Sequence, residues 1–124
     1  SYFKFYKYIF MNIIKKFYSN FLNSLRGLKF ALKEHSFLAE IFGGFILIPY
    51  ILIIDLQNIF KIIIFSVYFL LLAFELINTS IEKLSDKITK KYDKDIKKIK
   101  DLASASVFVI FLLLIILLII STII

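Results

Sequence analysis

The chain has 124 residues, 60% of them hydrophobic, with 15 Phe, no Cys and a mean hydropathy of +0.88. A soluble domain of this size could not bury so much apolar surface, so the chain reads as an integral membrane protein; without Cys there is no disulfide framework and no thiolate metal centre, and three Gly leave no phosphate-binding loop and no dinucleotide fingerprint. Sixteen Lys/Arg against nine Asp/Glu give a net charge of +7, which in so apolar a chain points to cytoplasmic loops and anionic lipid headgroups rather than to nucleic acid.

Residues 1–33 are rich in Phe and Tyr and are interrupted by Lys or Arg every few positions, seven in all. The pattern predicts one or two amphipathic helices lying in the membrane interface, a surface region rather than a span. The interruptions are unlike the unbroken apolar core of a cleaved leader. The first membrane-spanning segment is expected at about 36–54, "SFLAEIFGGFILIPYILII", broken only by Glu40. Gly43, Gly44 and Pro49 fall inside it, which neighbouring helices in a membrane tolerate.

The second span is expected at 59–82, beginning "IFKIIIFSVYFLLLAFELI" and continuing as helix into a polar stretch. The third is expected at 104–124, "SASVFVIFLLLIILLIISTII". The turn "DLQN" (55–58) between the first two has no positive charge, whereas 83–101, expected as a loop, carries eight lysines. The positive-inside rule then puts the N-terminal region and the 83–101 loop in the cytoplasm and the C-terminus outside.

Polar chemistry should therefore lie on the cytoplasmic side, where "ELINTSIEKLSD" (75–86) leaves the second span. At about 100° per residue, Glu75, Asn78, Glu82 and Asp86 share an arc of roughly 80°. An ionised carboxylate within the bilayer costs about 2.5–3.5 kcal/mol even on the gentlest scale, so such residues face a bundle interior or a water-filled cleft. Glu75 lies about 10 Å deeper than Glu82. The two suit separate tasks, with Glu75 at headgroup depth and Glu82 near water, where a metal–nucleotide complex can arrive. A metal at Glu82 needs a second anionic ligand, and Glu34, at the entrance to the first span, is the best placed. Two glutamates with substrate phosphates suffice for Mg²⁺. Spacing alone also fits helix-to-helix glue, pairing with lysine, or a proton path. Glu40 lies about 120° from the Glu34 face and reads as a snorkelling group or one bonded across the bundle. His35 reads as structural, and Ala103 to Ser106 as a close helix contact.

The 75–86 stretch resembles the signature of the bacterial diacylglycerol kinase family, small trimeric membrane kinases that include undecaprenol kinases. Glu75, Ile77, Asn78, Thr79, Ser80, Ile81, Glu82 and Asp86 fit that signature, while Ser85 stands where Val is expected. "KDLASASV" (100–107) resembles the Lys-Asp and small residues that open the family's third span, and "RGLKFALKE" (26–34) resembles the stretch before its first. The resemblance covers about residues 15–110.

It implies an all-α, homotrimeric bundle with three transmembrane helices per chain and an N-terminal surface helix, in a bacterial inner membrane. It implies direct phosphoryl transfer from ATP, with Mg²⁺, to a lipid hydroxyl. Glu75 would be the general base and bind lipid, Asn78 would orient that carboxylate or the phosphate, and Glu34 and Glu82 would hold the metal on the nucleotide. Lys100 and Asp101 would contact ATP, as would Lys16, Asn23, Lys91, Tyr92 and Asp93, although some members have His where this chain has Asp93. Ser24 and Ser104 would border the lipid. "KDLASASV" leans to diacylglycerol and "GLKFALKE" to undecaprenol, with diacylglycerol narrowly favoured. A non-catalytic scaffold or degenerate kinase is the reading of another class, and intact Glu75, Asn78, Glu82, Lys100 and Asp101 weigh against it. A proton-coupled carrier fits less well, because the carboxylates gather on one side rather than at the midplane.

Overall fold

Leu, Ile, Phe and Lys dominate the sequence, and its single proline is at position 49, so little in it interrupts a helix. The computed structural model describes all residues 1–124 and contains four helices and no strand. They are α1 (Tyr2–Ala31), α2 (His35–Ile53), α3 (Asn58–Ile88) and α4 (Lys94–Ile123). The chain divides into two compact units, residues 1–34 and 35–124.

The first unit is α1 and the turn after it. The helix contains six cations and no acidic residue. Phe3, Tyr6, Phe10, Ile13, Phe17 and Phe21 share one face, while Lys4, Lys15, Arg26 and Lys29 lie on the opposite one, as helical periodicity requires. The helix closes with Leu32 N–H bonded to the Leu28 carbonyl at 3.1 Å. Tighter three-residue bonds follow, Lys33 N–H to Phe30 O at 3.1 Å and Glu34 N–H to Ala31 O at 2.9 Å.

In the second unit α2, α3 and α4 are each long and apolar enough to cross a membrane. Pro49 stands inside α2 without ending it. The 31 residues of α3 span about 46 Å, against about 30 Å for a hydrocarbon core. Its polar C-terminal turns therefore extend beyond the length a membrane needs.

The 83–101 stretch is mostly helical rather than a loop: α3 runs on to Ile88, α4 starts at Lys94, and only residues 89–93 lie between them. Lysine is a good helix former, so a lysine-rich stretch need not be a loop. Asp93 also starts α4 as its N-cap, accepting from the amides of Asp95 at 3.0 Å and Ile96 at 2.9 Å.

The middle element is α3, packed most extensively against α4 and less against α2. The buried cluster is Leu47 and Ile51 from α2, Ile64, Val67, Tyr68 and Leu71 from α3, and Leu114 from α4. Gly44 matters to the α2–α3 contact: a Cβ there would lie 2.0 Å from the Tyr68 hydroxyl oxygen. With no side chain in the way, Tyr68 donates its hydroxyl to the Glu40 carbonyl at 3.0 Å. Many other large apolar side chains, such as Ile46, Ile53, Phe69 and Ile119, are exposed. Lipid tails are as apolar as these side chains and solvate them without penalty.

Candidate active site

Helical spacing places Glu75, Asn78 and Glu82 on one face of α3, and burial grades along them. Glu75 is 5% exposed and Asn78 7%, while Glu82 is open. From α2, Ser36 and Glu40 stand one turn apart and reach the same space. From α4, Ser104, Val107, Phe108 and Phe111 close it. The result is a cleft of about 380 Å³ between the three helices, polar along α2 and α3 and aromatic along α4.

The Ser36 hydroxyl donates a hydrogen bond to Glu75 Oε1. One turn further along, the Asn78 side-chain amide donates to Glu82 Oε1 at 3.2 Å. The carboxylate that Asn78 bonds in this structure is thus Glu82 rather than Glu75. Glu40 Oε2 and Asn78 Oδ1 are buried and make no hydrogen bond within the chain. Buried acceptors of this kind call for a donor, and both belong to residues lining the cleft.

Where helices α3 and α4 leave the apolar zone, the charges pair with one another. Lys100 Nζ bonds Asp86 Oδ1 at 2.5 Å, which ties the end of α3 to the start of α4. Lys97 bonds both Asp101 oxygens, at 3.2 and 2.9 Å, as an exposed pair one turn apart. Asp93 caps α4 through one carboxylate oxygen, and Tyr92 is 81% exposed. The Lys91 amide bonds the Thr89 hydroxyl at 3.1 Å.

The other expected site residues, Lys16, Asn23, Ser24 and Glu34, are in the first unit. There Asn23 accepts from Arg26, and Ser24 back-bonds to the Asn20 carbonyl at 3.0 Å. No group of three or more His, Cys, Asp or Glu side chains is gathered as a ready metal site. With one oxygen on the Asn78 amide, Glu82 keeps a second, hard oxygen of the kind Mg²⁺ prefers.

The cleft thus unites Glu75, Asn78, Glu82 and Ser104, and it adds Ser36, Glu40 and the α4 aromatics, which sequence reasoning missed as site residues. Residues 22–122 match the family model for prokaryotic diacylglycerol kinase. A diacylglycerol kinase from Haemophilus influenzae is 38% identical over 87 residues, 69% of this chain and 74% of that protein. The chain belongs to the prokaryotic diacylglycerol kinase family.

Membership makes it a membrane-embedded lipid kinase, consistent with its three long apolar helices. The matched region includes every expected site residue except Lys16. A kinase of this family uses a nucleotide and a lipid. The buried end of the cleft presents Glu75 beside Ser36, Glu40 and the α4 aromatics, and its open end presents Glu82.

Proposed function

We propose that the protein transfers the γ-phosphoryl group of ATP to the free hydroxyl of diacylglycerol, forming phosphatidic acid. The reading rests on one observation above the others: a buried carboxylate, Glu75, held by a hydroxyl donor, at the closed end of a cleft whose open end carries a second carboxylate. Phosphoryl transfer asks the protein for in-line positioning and charge neutralisation more than covalent chemistry. Glu75 accepts the lipid hydroxyl proton as that oxygen bonds to the γ-phosphorus, the bond from the γ-phosphorus to the β–γ bridging oxygen breaks, and ADP departs with the electron pair. A base at headgroup depth meets a substrate that does not leave the membrane.

Glu82 would hold a divalent ion, Mg²⁺, on the nucleotide, and the family resemblance gives Glu34 the same task. When bound, the ion neutralises charge on the phosphates. Asn78 fixes the Glu82 carboxylate for this task. Lys100 and Asp101, with Lys16, Asn23, Lys91, Tyr92 and Asp93, contact ATP; the Lys100–Asp86 and Lys97–Asp101 pairs must loosen for this, which is cheap for exposed ion pairs. Ser24 and Ser104 border the lipid. The lysine-rich 83–101 segment and residues 1–33 lie on the cytoplasmic face of a bacterial inner membrane, with residues 1–33 at its surface, and the working unit is a homotrimer.

Undecaprenol is the rival substrate, because the spacing of "GLKFALKE" is the one common in undecaprenol kinases. Transfer of radiolabelled phosphate from ATP in mixed micelles, with dioleoylglycerol and undecaprenol offered separately, decides between them. Label in phosphatidic acid supports the proposal. Label only in undecaprenyl phosphate replaces the substrate, and label in neither, with magnesium present, removes the kinase reading in favour of a degenerate scaffold.

A further inference from the structure

The α2 helix contributes more to the cleft than a wall. Ser36 and Glu40 stand four positions apart, about 40° around the helix axis, so both side chains reach the face that α3 packs against. The Ser36 hydroxyl donates to Glu75 across that contact, 39 positions away in sequence. Glu40, on the same wall, turns a buried and unpartnered oxygen to the same space. Two carboxylates facing one narrow cleft repel each other when both are ionised. Without a fixed donor, the Glu75 side chain would swing away from its neighbour and lose the orientation that proton abstraction needs.

We infer that Ser36 is a positioning residue for the reaction, its hydroxyl pinning Glu75 Oε1 so that the second carboxylate oxygen faces the lipid hydroxyl. This rests on the reading of Glu75 as the base. A hydrogen bond to a charged carboxylate is among the stronger polar contacts, and the burial of Glu75 favours it further. Ser36 itself is solvent-exposed at the start of α2. Removing its hydroxyl therefore leaves no cavity, and the variant should fold as the wild type does. The short Ser side chain touches Glu75 rather than the open end of the cleft, so its loss should act on the chemical step and not on nucleotide binding.

The test is steady-state transfer from ATP to a saturating lipid substrate for wild type, Ser36→Ala, Ser36→Thr and Glu75→Gln, each checked for wild-type helical circular dichroism. The expected result is a kcat for Ser36→Ala lowered about ten- to a hundredfold. Its KM for ATP should stay within about twofold, because only a transition-state interaction is lost. Ser36→Thr, which keeps the hydroxyl at an exposed position, should recover most of the rate. Wild-type kcat in Ser36→Ala, with Glu75→Gln inactive, overturns the Ser36 assignment alone. So does a loss that falls on the KM for ATP. Near-normal transfer by Glu75→Gln overturns the base itself, and the role of Ser36 with it.

Discussion

The two ends of the cleft treat polar groups in opposite ways. At the closed end Glu75 is buried and takes its hydrogen bond from a neutral hydroxyl, and buried oxygens of Glu40 and Asn78 remain without partners. At the open end Glu82 is exposed and accepts from the Asn78 amide, and just beyond it exposed charges satisfy one another, Lys100 with Asp86 and Lys97 with Asp101. Water explains the difference. An exposed pair exchanges partners cheaply, because solvent replaces whatever is lost. A buried group has no such substitute, so one hydrogen bond there fixes geometry. On the proposed function, the open end is the one an arriving nucleotide rearranges, and the closed end holds still.

The comparison is tested most severely at Glu75. Glu75→Gln keeps the shape and removes the proton acceptor, so turnover should fall about 10²- to 10⁴-fold in the phosphate-transfer assay. A smaller loss would put the closed end on the same footing as the open one.

Next in size is the packing that holds α2 against α3. Gly44→Ala places a methyl group against the Tyr68 ring and hydroxyl and breaks the bond to the Glu40 carbonyl. It should destabilise the fold by about 1–3 kcal/mol in denaturant-induced unfolding in micelles. Gly43→Ala meets nothing within 4 Å and should unfold as wild type does. Equal effects at the two glycines would mean that helix propensity, rather than the Tyr68 contact, decides.

Smaller effects belong to the exposed end. Asp93→Ala removes the N-cap of α4 and should cost about 1 kcal/mol in the same unfolding measurement, with Asp93→Asn recovering most of it. Lys97→Ala breaks an exposed pair one helical turn apart. Its melting temperature should match wild type at physiological salt, with any difference confined to low salt. A larger, salt-independent loss would mean that this end is as rigid as the other.

Much of the fold was legible because the membrane sets a demanding rule. Three apolar runs long enough to span it stand out from hydropathy alone, and the polar stripe of Glu75, Asn78 and Glu82 follows from helical periodicity. The segment 83–101 was harder. Its lysines signal topology and helix propensity at once, and the cap at Asp93 that separates α3 from α4 is a single residue in a run of charges. Ser36 and Glu40 were harder still. The Ser36 bond to Glu75 and the cleft that Glu40 shares with them are contacts between helices, and no local pattern records them. The one available hint was their four-residue spacing, which sets a hydroxyl and a carboxylate on one face of an otherwise apolar span. Gly44 could be read as a tolerated helix glycine, but nothing in the sequence tied it to Tyr68.

The central claim is a division of labour: proton removal at Glu75, metal binding at Glu82. A magnesium titration of phosphate transfer by Glu75→Gln and Glu82→Gln tests it most directly. If the account holds, Glu82→Gln regains rate as magnesium rises, because added ion compensates for a weakened site, while Glu75→Gln stays inactive at every concentration. Recovery of Glu75→Gln by magnesium, with Glu82→Gln unresponsive, would contradict the account and exchange the two roles.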